Sequence, residues 1–168
     1  MHAYYIAAVP AAGAGEFMGG LHYEQFEVGR IFEHEIRRTV TEGDNSWFCG
    51  MTCNPAPIHI DAEYSSSTQF GRPLVNSIFT LGLVIGLSVQ DTTFGTTVAN
   101  LGMTDVAFPR PVFAGDTLRS RTTVVALRDS RSRPNTGIVT LSHEGLNQRD
   151  EVVCKCTRQA LMLRGEVA

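Results

Sequence analysis

The clearest helical signal in the chain follows Pro73. "LVNSIFTLGLVIGLSVQDT", residues 74–92, is apolar on nearly every side and carries no charge before Asp91. A helix apolar all round is a buried one. The run is a few residues short of a comfortable bilayer span, and Asn76, Ser77 and Ser88 interrupt it, so a central core helix is the reading. Four segments rich in Val, Thr, Leu and Ile follow: "TTVANLGMTDVAF", "TLRSRTTVVALRD", "TGIVTLSHEGLN" and "EVVCKCTRQALML". The turn signals "PRPVFAGD", "SRSRPN" and "NQRD" separate them, which predicts four strands. Upstream, Arg30 to Val40 alternates well enough for a first strand. Thr41 or Asp44 can cap a short helical turn carrying Trp47 and Phe48, and Asp61 can cap a second short helix that ends near Gly71. The order is strand, short helices, one long helix, then four strands. That predicts an α+β fold in which an antiparallel sheet wraps one apolar helix. Such a sheet leaves an exposed edge, and pairing two copies is the usual remedy.

Size and composition narrow this. The 168 residues suit one domain, with 43% hydrophobic and 18% charged residues. A net charge of −3 without long runs of either sign gives no reason to expect nucleic acid or an anionic membrane as partner. An anionic ligand would have to be held by a local cluster of Lys and Arg. Cys49, Cys53, Cys154 and Cys156 lack the spacing of a zinc site or a thioredoxin-like motif and read as plain thiols. Residues 1–20 are apolar and rich in small residues, without the basic start of a signal peptide. They read as a loosely ordered extension, with Met18 as an alternative start, ahead of a single domain over 21–168 in a cytoplasmic protein.

The chemistry-bearing stretch is "GMTCNPAPIHIDAEY", Gly50 to Tyr64. Prolines hold it extended, so no helix interior is expected around His59. Together with "TEGDNSWF", "FGRPLVNSIF" and "PVFAGDTL", it resembles the MaoC-like, or R-specific enoyl-CoA hydratase, family of the hotdog fold, over roughly Tyr23 to Leu163. The family signature runs Ser-Gly-Asp-x-Asn-Pro-[apolar]-His. Laid on this chain, its histidine falls on His59, its catalytic aspartate on Asn54 and its asparagine on Ala56. Where the family has His-Gly before the central helix, this chain has Asn76 and Ser77. The same Asn and Asn-Ser replacements, with "SRSRPNTGIV" and "GLNQRDEVV", are similar to a mesaconyl-CoA and itaconyl-CoA hydratase-like subgroup.

The resemblance implies reversible addition of water to the double bond of a short, branched dicarboxyl enoyl-CoA. Coenzyme A would be the substrate's carrier, with no further cofactor and no metal, and the protein at least a homodimer with its pocket between protomers. His59 is the base, because imidazole titrates near neutrality. Asn54 cannot accept a proton in this range and would orient the water. A backbone N–H at or near Ser77, with Asn76 beside it, would stabilise the thioester oxygen. Arg131 and Arg133 in "RDSRSRP" are expected at the CoA phosphates, and Arg72 and Arg110 at a substrate carboxylate. Two other functions suit the same fold. An acyl-CoA thioesterase would release free CoA. A non-catalytic acyl-CoA-binding protein would explain the missing aspartate. Asp44 and Asp61 read as helix caps, and His22, His34 and His143 receive no role.

Overall fold

A computed structural model describes residues 19–165. The extension expected over 1–20 therefore lies almost wholly outside the described residues. Its last residue, Gly20, is tied down: its N–H donates to the Phe94 carbonyl at 2.7 Å.

The chain runs β1 (Ile31–Glu33), β2 (Arg38–Thr39), α1 (Glu42–Met51), α2 (Pro57–Ile60), α3 (Ala62–Ser66), α4 (Ser77–Thr92), β3 (Thr97–Ala107), β4 (Thr117–Asp129), β5 (Thr136–Leu146) and β6 (Val152–Leu163). The strands make one antiparallel sheet in the order β1-β4-β5-β6-β3, with β2 also paired to β4. The four predicted strands appear where their composition and the turn signals placed them. The single strand expected over Arg30–Val40 is split in two. Between its halves the His34 side chain turns inward to meet Asp91 and Thr122, each at 2.8 Å.

Thr41 caps α1 in a capping box: its Oγ1 accepts from the Asp44 N–H, and the Asp44 carboxylate accepts from the Thr41 N–H. Asp61 caps α3, which is shorter than expected and ends at Ser67. The segment expected to stay extended contains one helical turn, α2, and His59 sits in it. Pro57 is its first residue, where a missing N–H costs nothing.

The sheet curls around α4. Val84 and Leu87 of α4 pack with Val40, Leu118, Val153 and Cys154. A second cluster, Val124, Val139, Leu141, Ala160 and Met162, is closed by Phe26. The helix is not buried all round, contrary to its apolar sequence. Ile78, Gly82, Gly86 and Gln90, spaced four apart, form an open stripe along it. A six-stranded wrap covers only one side of a helix, and sequence alone does not say that the other side is left open. Among the described residues no helix is long and apolar enough to cross a membrane.

Candidate active site

The start of α4 is where the chemistry-bearing segments meet. The strand-like crossing 72–76 enters from α3. Val75 N–H donates to the Val112 carbonyl at 2.9 Å, and Leu74 N–H to the Ile58 carbonyl at 2.9 Å. That second bond lays the His59 turn against the crossing. His59 is half-buried, and its Nδ1 lies 2.7 Å from the Leu74 carbonyl oxygen. A carbonyl can only accept, so Nδ1 carries the proton and Nε2 of the neutral ring is left with a lone pair.

Asn76 is the N-cap of α4, and its Oδ1 accepts from the Ile78 N–H at 2.9 Å. The Ser77 N–H has no hydrogen-bond partner among the described residues. It therefore stays available at the positive end of a sixteen-residue helix.

His59 and Ser77 line two neighbouring clefts that share Val75. The His59 cleft, about 250 Å³, also holds Glu42, Ser46 and Arg72. The Arg72 guanidinium stacks 4.1 Å over the Phe113 ring. The Ser77 cleft, about 210 Å³, holds Thr80 and Arg110. Arg110 is 3.5 Å from Glu151, which shares its charge; hydrogen bonds from Asn147 and Arg149, with the nearby charge of Arg110, hold the Glu151 carboxyl low.

Asn54 lies one cleft further along, with Cys53 and Pro55, and shares Ser46 and Ile60 with the His59 cleft. Its Oδ1 accepts from the Ala56 N–H at 3.0 Å, an Asx turn that leaves the amide N–H groups free for a ligand.

Arg131 and Arg133 are not brought to this site within one chain. Their hairpin joins β4 to β5 beside Thr136, which pairs with Leu163, and Leu163 in turn bonds Thr96 just past the end of α4. His59 is at the start of α4, the other end of a sixteen-residue helix about 24 Å long at 1.5 Å per residue. The chain order of arginines gave no hint of which end of the helix each would reach.

Sequence reasoning also passed over Asn45. It sits on α1 at 4% exposure, and its amide touches both the His59 and the Leu74–Asn76 segments. It lies one turn before Cys49, the other buried residue of α1, and its burial comes from partners distant in sequence.

The sequence profile of the MaoC like domain matches residues 24–146, most of the chain. The chain belongs to the MaoC-like domain family. Among its relatives is a mesaconyl-CoA hydratase of Cereibacter sphaeroides, 28% identical over 149 residues, 89% of this chain and 43% of the relative. Another is a beta-methylmalyl-CoA dehydratase of Chloroflexus aurantiacus, 29% identical over 143 residues, 85% of this chain and 40% of the relative. The MaoC-like chain thus spans about two-fifths of the length of these curated relatives. In shape it is similar to a Mycobacterium tuberculosis protein with a double hotdog fold. The TM-score is 0.81 at 24% identity, over 90% of this chain and 46% of that one. The fold is the hotdog fold.

The family frame explains one backbone feature. Cys53 takes φ of 52°, at the position where the family signature carries glycine. A side chain there costs about 1–2 kcal/mol, yet the left-handed turn that delivers Asn54 is kept.

Proposed function

We propose that this MaoC-like chain adds water reversibly to a short enoyl-CoA, of the mesaconyl-CoA type. The carrying observation is the 2.7 Å contact of His59 Nδ1 with the Leu74 carbonyl, which leaves Nε2 as a base of fixed direction. The relatives named mesaconyl-CoA hydratase and beta-methylmalyl-CoA dehydratase support the substrate class.

The reaction then runs as follows. The His59 Nε2 takes a proton from water as the water oxygen bonds the β-carbon. The double-bond electrons move toward the thioester carbonyl, whose oxygen gains charge and is met by the Ser77 N–H. The imidazolium returns its proton to the α-carbon, and the product is the 3-hydroxyacyl thioester. Asn54 holds the water through its free amide. Arg72, in the His59 cleft and steadied on Phe113, is the group placed to read a substrate carboxylate; Arg110, already shared with Glu151, is less suited. The working unit is a homodimer with its pocket between protomers, which brings residues of a second copy to the open face of α4.

The test is turnover against C4 to C6 enoyl-CoAs, followed by loss of enoyl-thioester absorbance with a thiol reagent in parallel. Hydration without free CoA is expected, with a dicarboxyl substrate preferred over crotonyl-CoA. His59→Ala should lower kcat by about 10²-fold or more. Release of CoA instead would identify a thioesterase, and binding without turnover a non-catalytic acyl-CoA-binding protein.

A further inference from the structure

Asn45 makes three backbone contacts with one amide. Its Nδ2 donates to the His59 carbonyl at 2.8 Å and to the Leu74 carbonyl at 3.2 Å, and its Oδ1 accepts from the Asn76 N–H at 2.9 Å. The three groups belong to the turn that carries the base, the carbonyl that fixes its tautomer, and the cap of the helix whose N–H faces the oxyanion. We propose that Asn45 is a positioning residue, which fixes the tautomer and direction of His59 together with the Val75–Asn76 peptide that leads into the Ser77 N–H. The inference rests on the reading of His59 as the base.

The Leu74 carbonyl has two lone pairs. One takes the His59 Nδ1–H and the other an Asn45 N–H. Without Asn45 that carbonyl would keep only the Val75 N–H bond of its own peptide to Val112 and the imidazole it is meant to orient. The other end of the amide pins the Asn76 N–H and so holds the Val75–Asn76 peptide, next to the Asn76–Ser77 peptide that carries the free donor and whose carbonyl accepts from the Thr80 N–H.

The residue type follows from the count. The position needs two donors and one acceptor on a short planar head. An aspartate offers acceptors only, a serine a single donor, and a glutamine stands one methylene too far out. The fold alone asks for an apolar residue there, since Asn45 and Cys49 are the buried positions of α1 and a buried amide is costly unless every group is met.

The experiment reads the imidazole directly, in full-length protein labelled with ¹⁵N in histidine, with His59 assigned by comparison with His59→Gln. The wild type should show the Nδ1–H tautomer. Asn45→Asp keeps the acceptor for Asn76, removes both donors and sets a carboxylate behind the turn. His59 should then titrate at higher pH, and the acid limb of kcat/KM should move up with it by about one unit. Its kcat should fall about tenfold or more, while KM changes by less than about threefold. Asn45→Ser, which leaves one donor, guards against an aspartate variant that does not fold and should show a mixed tautomer. The proposal is overturned if a folded variant keeps the wild-type tautomer and titration, or loses activity equally at all pH with the tautomer unchanged. Because the spectra need no substrate, a wild type that hydrates no enoyl-CoA would sink the hydratase reading without deciding this one.

Discussion

At the scale of single residues, the polar groups inside the sheet are as telling as those at the site. His143 is fully buried on β5, its Nδ1 2.9 Å from Thr122 Oγ1 and its Nε2 without a partner among the described residues. Burial first, then the neighbouring Arg158 charge and His34, push its imidazole down to about 3. The folded chain therefore binds this proton far less readily than the unfolded chain, whose histidine titrates near 6.5. Between those values the unfolded state holds more protons, so stability from this group is full above 6.5 and is lost as pH falls through the window. Urea unfolding at pH 7 and pH 5 should show wild type losing up to about 2 kcal/mol more than His143→Gln, which cannot titrate. Equal losses would mean that water reaches the ring. None of this was visible in sequence, where His143 sits in an ordinary alternating strand. His59 was noticeable in sequence because a linear motif surrounds it. Asn45 was not, because its three partners come from residues 14 to 31 positions away.

At the scale of elements, the sequence located the strands and α4 well because their periodicity is local. It missed what depends on a neighbour: the break between β1 and β2 at the inward-turned His34, the helical turn at His59, and the open stripe on α4. The closeness of α4 to the sheet belongs to this scale too. A Cβ at Gly145 of β5 would lie 2.3 Å from Val84 Cγ2 and 3.3 Å from Cys154 Cβ. Val84 is fully buried and β-branched, so its methyl cannot swing aside. Glycine here sets how deeply the helix seats in the sheet. Gly145→Ala should destabilise by about 1–3 kcal/mol in urea unfolding, as overpacking does. Val84→Ala in the same chain should recover part of that loss, a coupling that two independent sites would not show. Additive losses would place the contact elsewhere.

At the scale of the molecule, the edge of the sheet is the unresolved liability. β3 pairs with β6 on one side, and its other side faces out along eleven residues. Leu101, Met103, Val106 and Phe108 are all exposed there, and three register shifts roughen the pairing with β6 without adding a charge at Leu101 or Met103. A long apolar edge of this kind invites another strand. The open stripe of α4 also lacks a cover in one chain. The double hotdog structure, about twice this chain's length, carries two such units in one polypeptide. A second copy of this chain, related by a two-fold axis, would supply the same arrangement from two. Sedimentation should therefore find a dimer at micromolar concentration. Leu101→Lys with Met103→Lys puts two charges on β3 in each copy, where they would oppose their counterparts across the axis. The double variant should sediment as a folded monomer with unchanged far-UV dichroism, and its turnover should fall with dimer content if the pocket lies between protomers. A monomeric wild type would remove the dimer, and a monomeric variant with full turnover would place the whole pocket within one chain.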